Sequence, residues 1–147
     1  MCGIFGSVSI SEVDDKKVLS LAKHSKQRGC DSSGLAVSDC KMYKITRADY
    51  DITKLLSKYK WSGSNVVMGH SRLITNGLLD NQPVVRDGMF VIHNGIIVNE
   101  DEIWSSINVK RLFQIDSEAI IGIAIKHLDD GGDFSQLPKQ ILSKCQG

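Results

Sequence analysis

The sequence lacks the features that mark secreted, nucleic-acid-binding and membrane-spanning proteins. Its four cysteines form no Cys-x-x-Cys pair, which argues against the dense disulfide framework of a small secreted domain. The 18 basic and 17 acidic residues give a net charge of +1, so the basic excess that drives nucleic-acid binding is missing. Apolar runs such as residues 120–125 are far shorter than the roughly 20 residues that a membrane span needs.

The composition that remains is that of an ordinary globular domain. A length of 147 residues corresponds to about one domain, and 41% hydrophobic with 24% charged residues lies near the globular norm. No basic residue precedes Lys16 and no long apolar stretch stands at the N-terminus, so a signal peptide is not expected. We therefore expect a single cytoplasmic domain over residues 1–147.

Hydrophobic patterning predicts a mixture of strands and helices. The apolar runs predict strands over residues 2–10, 35–38, 41–46, 65–72 and 89–93. Helical periodicity predicts helices over residues 11–27, 52–59, 99–107, 116–128 and 134–144. Ser11 with Asp14 resembles a capping box at the first of these helices, and Asp116 is suited to cap the fourth.

Cys2 carries the most chemical information of any residue. Met1 precedes a small side chain, so we expect its removal, which would make Cys2 the N-terminal residue. Its own α-amine, with a pKa of roughly 7.7–8.0, could then take the thiol proton and allow attack on a carbonyl. Position alone favours a small buried hydrophobe in a terminal strand. Gly3 and Gly6 shift the interpretation towards a ligand site, because they permit close backbone approach.

Four further residues have polar groups suited to a small substrate. The Asn94 amide and the Gly95 N–H could form an oxyanion hole with two donors, although Asn-Gly is also a common turn. The Arg72 guanidinium suits a carboxylate held by two hydrogen bonds, or an ordinary surface ion pair. Asp116 could bind an ammonium group or cap its helix. Together, Arg72 and Asp116 have the charges needed to hold a free amino acid.

Neither a metal nor a cofactor is predicted. The candidate metal ligands do not have the spacing of a recognised metal site. They are Cys2, His24, Cys30 and Cys40. His70 and His93 are interpreted as hydrogen-bonded residues at strand ends.

The motifs resemble, in order, the glutaminase domain of class II glutamine amidotransferases, which are N-terminal-nucleophile hydrolases. They are Met-Cys-Gly-Ile-Phe-Gly at 1–6, Arg-Gly-Cys-Asp-Ser-Ser-Gly at 28–34, Gly-His-Ser-Arg at 69–72 with Thr75, His-Asn-Gly-Ile-Ile at 93–97 and Asp-Ser-Glu at 116–118. The resemblance extends over nearly the whole chain. It implies an α+β fold, the four-layer αββα sandwich of these hydrolases, incomplete at its C-terminal end.

The resemblance implies a covalent mechanism. Cys2 would attack the side-chain amide of L-glutamine, with its α-amine as general base and proton donor to the leaving ammonia. Asn94 and the N–H of Gly95 would form the oxyanion hole. A γ-glutamyl thioester would then be hydrolysed to glutamate, and the ammonia would pass to a synthase or isomerase domain or subunit.

The resemblance also implies how the substrate is held. Arg72 would bind the substrate carboxylate, with the hydroxyl of Thr75 nearby. Asp116 would bind the substrate ammonium group, and Arg28 would support the site around Cys2.

The ammonia acceptor stays open at this point. Residues 93–97 and 31–32 favour glucosamine-6-phosphate synthase, whereas residues 72–74 and 82–83 favour asparagine synthetase. A third alternative is an inactive amidotransferase-like module with a binding or regulatory role. If strands that complete the sheets lie beyond Gly147, open strand edges would remain, and we expect this chain alone to be poorly stable or a homo-oligomer.

Overall fold

A computed structural model describes residues 2–39, 41–73 and 81–147. The chain divides into two compact units, Met1–Pro83 and Val84–Gly147. Each unit combines helices with an antiparallel sheet, which confirms the predicted mixture of α and β structure.

The first unit is built on a four-stranded antiparallel sheet. Its strands are β1 (Gly3–Val8), β2 (Ser32–Ser38), β3 (Tyr43–Ala48) and β4 (Val66–Arg72). Their spatial order is β1-β4-β2-β3, so β4 lies between β1 and β2. Gly3 pairs with Ser71 on one side of β4, and Ser32 pairs with Arg72 on the other. The start of β1 and the start of β2 therefore both meet the end of β4.

Two helices cover one face of this sheet. They are α1 (Asp15–Lys26) and α2 (Ile52–Lys58). The core of the unit contains Val18 of α1, Leu55 of α2, and Leu35 and Val67 of the sheet. Because side chains alternate along a strand, one face of the sheet is committed to this core and the opposite face is left for other contacts.

Helix α1 begins later than the sequence predicts. Its N-cap is Asp14, whose carboxylate accepts hydrogen bonds from the backbone N–H groups of Lys16 and Lys17. The predicted capping box starting at Ser11 is therefore wrong. The physical reason is that Val13 is buried and its N–H donates to the carbonyl of Ser64, which keeps this part of the chain extended.

Asp51 caps α2 and carries a strongly stabilised charge. Its carboxylate accepts hydrogen bonds from the Thr53 side chain and from backbone N–H groups of the first turn, and Lys26 Nζ lies 3.2 Å away. The hydrogen bond from Thr53, followed by the backbone bond and Lys26, lowers the pKa of Asp51 from 3.8 to about 2.

We expect Asp51→Asn to destabilise the protein in a pH-dependent manner. Asparagine also caps helices, so the substitution removes the charge and keeps the cap. Because the pKa of Asp51 is lower in the folded state, its charge stabilises the fold at pH values above the unfolded pKa of 3.8. This stabilisation is lost as the pH falls towards 2. The wild type should exceed the variant by about 2 kcal/mol at pH 7 and by about half of this at pH 3. Urea unfolding at both pH values measures the difference, and a difference independent of pH would contradict the assignment.

The second unit has three helices and a short hairpin. The elements are β5 (Val84–Arg86), β6 (Met89–Val91), α3 (Glu100–Ile107), α4 (Glu118–Asp129) and α5 (Leu137–Lys144), with a 3₁₀ turn at Phe134–Gln136. The hairpin turns at Asp87 and Gly88, which have φ angles of 49° and 76°. Positive φ at both central residues is what a two-residue hairpin turn of this kind requires.

Helix α4 lies at the centre of the second unit, which explains why its sequence is apolar on most sides. Ile121 packs with Val84 of the hairpin. Ile123 belongs to a second cluster with Ile103 and Ile107 of α3. The sequence predicts this buried helix from residue 116. The observed helix begins two residues later, at Glu118, and its N-cap is Ser117.

The strand predictions are mostly right in place and less so in length. β1 and β4 agree with the predicted strands. β2 begins at Ser32, earlier than predicted, and β3 covers 43–48 where 41–46 is predicted. β6 ends at Val91, before the predicted end, and β5 is absent from the prediction.

All the helices described are short. The longest, α1 and α4, have 12 residues each. Over the described ranges, no helix has the length and apolar character needed to cross a membrane.

Candidate active site

Cys2 lies immediately before β1, at one corner of the four-stranded sheet. Its side chain is half-buried, and its Sγ atom is 4.0 Å from the carbonyl oxygen of Leu73. A fully buried cysteine in a terminal strand, which is the alternative interpretation of this position, therefore does not describe the residue. The backbone of Cys2 adjoins a paired strand, and its thiol is accessible to solvent.

The register of β1 and β4 directs Cys2 towards the end of β4 that carries Arg72. Gly3 pairs with Ser71, so continuing the register by one residue sets Cys2 opposite Arg72. Paired residues of antiparallel strands direct their side chains to the same face of the sheet. The predicted nucleophile and the predicted carboxylate-binding residue therefore lie at the same end of one sheet.

The loop that contains Arg28 is held against the same end of β4. The N–H of Asp31 donates to the carbonyl of Arg72 at 3.0 Å. A Cβ atom on Gly29 would lie 2.5 Å from the carbonyl carbon of Arg72, so this approach requires glycine. Arg28 itself is exposed. Its loop is thus fixed near the strand end, and its supporting role at Cys2 stays a prediction.

Asn94 and Gly95 are exposed residues in the segment that follows β6. With His93 they line one side of a cavity of about 330 Å³ in the second unit. The cavity is otherwise lined mainly by apolar side chains and the C-terminal residues, namely Ile96, Ile97, Ile120, Ile141, Leu142, Cys145, Gln146 and Gly147. An exposed amide and an exposed backbone N–H at a concave surface are accessible to a ligand. Their role as oxyanion donors stays a prediction.

The structure brings Asp116 to the same segment of the second unit. Its Oδ2 accepts a hydrogen bond from the N–H of Ile97 at 2.8 Å, and its Oδ1 accepts one from the N–H of Ser117 at 2.8 Å. Asp116 is therefore not the cap of α4, and that interpretation is wrong. Its carboxylate instead fixes the chain two residues after Gly95, and the side chain is half-buried.

Two further predictions concern Thr75 and the absence of a metal ion. Thr75 lies outside the described residues, so its predicted hydroxyl contact is not addressed. Within the part of the chain that the structure describes, no group of three His, Cys, Asp or Glu side chains is arranged to hold a metal ion.

One feature beside the site was missed from the sequence. Glu118, fully buried, accepts hydrogen bonds from Arg86 Nη1 at 2.9 Å and from the N–H groups of Leu112 and Phe113. Arg86 also donates to the carbonyl of Lys110. This buried ion pair joins the hairpin, the 110–113 segment and the start of α4. The partners are 32 residues apart in the chain, and nothing in the local sequence pairs them.

Two solved structures share the fold of this chain. The glutamine phosphoribosylpyrophosphate amidotransferase of B. subtilis superimposes with a TM-score of 0.71 and 24% identity, over 99% of this chain and 33% of its own. A structure described as the allosteric regulatory enzyme of purine biosynthesis gives a TM-score of 0.73 and 23% identity, over 99% of this chain and 34% of its own. The chain has the fold of the N-terminal-nucleophile amidotransferases, as the motifs predict.

Sequence comparison finds relatives among the isomerizing glutamine–fructose-6-phosphate aminotransferases. The isomerizing glutamine–fructose-6-phosphate aminotransferase of Agrobacterium fabrum is 31% identical over 156 aligned positions, which include 100% of this chain. The corresponding enzyme of Campylobacter jejuni is 29% identical over 96% of the chain. Glucosamine-6-phosphate synthase is another name for this aminotransferase. The comparisons therefore confirm the resemblance to class II glutamine amidotransferases, and to glucosamine-6-phosphate synthase in particular. No family model matches the sequence.

The chain corresponds to only part of each relative. It spans about a quarter of the length of the aminotransferases and about a third of the solved chains.

Proposed function

We propose that this chain is a glutaminase domain that hydrolyses the side-chain amide of L-glutamine and supplies ammonia to an amidotransferase of the glucosamine-6-phosphate synthase type. The observation that carries the proposal is the placement of Cys2. It directly precedes β1, its thiol is partly exposed, and the pairing of Gly3 with Ser71 brings it to the end of β4 that carries Arg72. A nucleophile beside a guanidinium suits an amide substrate that also bears a carboxylate.

The proposed reaction proceeds through a covalent intermediate. After removal of Met1, the α-amine of Cys2 takes the thiol proton, and the sulfur attacks the side-chain carbonyl carbon of glutamine. Asn94 and the N–H of Gly95 stabilise the negative oxygen of the tetrahedral intermediate. The C–N bond then breaks, the nitrogen takes the proton back from the amine and leaves as ammonia, and a γ-glutamyl thioester remains. Water attacks the thioester, releasing glutamate and restoring the thiol.

Charged residues at both ends of the amino acid provide substrate recognition in this proposal. Arg72 binds the α-carboxylate, and Thr75 contributes a hydroxyl to it. Asp116 binds the α-ammonium group. The Arg28 loop, held against the end of β4 through the Asp31–Arg72 hydrogen bond, supports the position of Cys2.

The ammonia acceptor belongs to a companion domain or subunit. The relatives are named for fructose 6-phosphate, so we propose a ketose phosphate as the acceptor class. The reaction takes place in the cytoplasm, where thiols stay reduced. We further propose that this chain associates with itself or with its companion.

The decisive experiment compares the mature chain with a version blocked at its N-terminus. The mature chain, checked for loss of Met1 by intact mass, should release glutamate and ammonia from glutamine in equal amounts. A variant with an uncleaved two-residue extension before Cys2 lacks the neighbouring free amine. It should be slower by about 10²–10⁴-fold, the usual contribution of a positioned base.

Covalent labelling separates this proposal from an inactive binding module. A glutamine-like diazoketone should modify Cys2 of the mature chain and spare Cys145, because burial raises the pKa of the Cys145 thiol and leaves little thiolate. A folded, mature chain that neither hydrolyses glutamine nor is labelled at Cys2 would support the binding module and overturn the proposal.

A further inference from the structure

The exposed segment that contains Asn94 and Gly95 is closed at both ends by hydrogen bonds to two adjacent residues. At its start, His93 Nδ1 lies 3.2 Å from Ser117 Oγ. At its end, the N–H of Ile97 donates to Asp116 Oδ2 at 2.8 Å. Asp116 and Ser117 are themselves joined, since Ser117 Oγ donates to Asp116 Oδ1 at 3.3 Å.

The direction of these bonds follows from the proton count of a hydroxyl. Serine has one hydroxyl proton, and we assign it to Oδ1 of Asp116, because an ionised carboxylate can only accept. The remaining lone pairs of Ser117 Oγ can then accept the proton on Nδ1 of His93. The result is a continuous donor chain from His93 through Ser117 to Asp116.

The hydrogen-bonded groups of His93 and Ser117 are closely surrounded by other residues. Ser117 is fully buried, with 0% of its surface exposed. A Cβ atom on Gly95 would lie 2.7 Å from His93 Nε2, so the imidazole lies directly against the backbone of Gly95. A side chain at residue 95 would collide with the imidazole in this position, so the close approach of His93 to this backbone depends on the glycine.

We propose that Ser117 and His93 are positioning residues that hold Asn94 and Gly95 in the geometry needed for oxyanion binding. Asp116 thereby has two roles, as a ligand of the substrate ammonium group and as the anchor of the oxyanion segment. The inference rests on the proposed function and adds to it a connection between substrate binding and transition-state stabilisation. Neither His93 nor Ser117 has to touch the substrate.

Removing this connection should affect turnover more than substrate binding. Oxyanion donors act on a transition state, so a small displacement of them lowers kcat. The Asp116 carboxylate keeps its charge and its bond to the N–H of residue 117, so KM should change little. We expect Ser117→Ala to lower kcat by about tenfold, the equivalent of one lost hydrogen bond, with KM within about threefold.

A matched pair at His93 separates hydrogen bonding from packing. Asparagine can place its Nδ2 donor where Nδ1 of histidine lies, whereas leucine has a similar branched shape and no donor. In the 147-residue chain, His93→Leu should match the tenfold loss of kcat in Ser117→Ala, and His93→Asn should stay within about threefold of wild type. The double variant of His93→Leu with Ser117→Ala should be no slower than either single variant, because both remove one interaction.

Hydrogen exchange provides a readout that does not depend on activity. The Ile97 amide should exchange about tenfold faster in Ser117→Ala and His93→Leu, and unchanged in His93→Asn. Equal behaviour of the two His93 variants, or wild-type kcat and exchange in Ser117→Ala, would overturn the inference. A chain that shows the exchange pattern but no glutaminase activity would leave the arrangement of the segment correct and overturn the proposed function instead.

Discussion

Replacing Cys2 by alanine is expected to reduce glutamine hydrolysis to the uncatalysed background, a loss of at least about 10³-fold. The substitution keeps the α-amine and the short side chain, and β1 still pairs with β4 from Gly3 onwards. Only the sulfur that forms the thioester is removed. The measurement is glutamate release under saturating glutamine, with circular dichroism to show that the variant is folded.

Two other cysteines provide matched controls for this result. Cys30 is exposed in the loop next to the end of β4, and Cys145 is half-buried in the second unit. Cys30→Ala and Cys145→Ala should each keep activity within about threefold of wild type, since neither thiol has a role in the proposed reaction. Full activity in Cys2→Ala, or a complete loss in Cys30→Ala, would show that the nucleophile is wrongly assigned.

Glu118→Ala should cause the largest loss of stability, about 3–4 kcal/mol, within the range known for breaking a buried ion pair. The substitution removes the buried carboxylate partner of Arg86, whose side chain is only 10% exposed and keeps its ion pair with the exposed Asp87. It also removes the acceptor of the Leu112 and Phe113 N–H groups. Urea unfolding followed by circular dichroism at pH 7 measures the change.

An exposed pair on the same helix is the control for Glu118→Ala. Lys126 and Asp130 form an ion pair with side chains 40% and 58% exposed, and Lys126→Ala should cost less than about 1 kcal/mol. Replacing both buried partners, as Arg86→Met with Glu118→Leu, should destabilise less than Glu118→Ala alone. A loss below 1 kcal/mol in Glu118→Ala would show that the pair does not hold the second unit together.

The sequence predicts the strands and helices that are determined by their own apolar pattern, but not the boundaries that depend on contacts with distant residues. β1 and β4 follow from apolar runs, and α4 follows from its apolar residues on several sides. The start of α1 depends instead on Val13, whose burial and hydrogen bond to Ser64 keep the preceding residues extended. β5 has three residues, too few for a pattern, although Asp87-Gly88 is a recognised hairpin signal that the prediction overlooked.

The candidate site shows the same division. The identities of Cys2, Arg72 and Asn94 follow from short motifs, and the register that joins the first two follows from predictable strands. The contacts of Asp116 do not follow from the sequence. Its helix-start position favours a cap, yet its carboxylate is taken by the amide of Ile97, 19 residues earlier. Such a choice between partners is made by tertiary packing, which a local pattern does not encode.

The pairing of β1 with β4 has a mechanical consequence for the nucleophile. Six residue pairs, from Gly3–Ser71 to Val8–Val66, join the two strands. A pull on Cys2 along the chain direction would load these pairs together in shear, whereas a frayed terminus would yield one bond at a time. Chain termini are usually mobile unless a strand ties them down. Cys2 directly precedes this strand, so the pairs that begin at Gly3–Ser71 restrain its position.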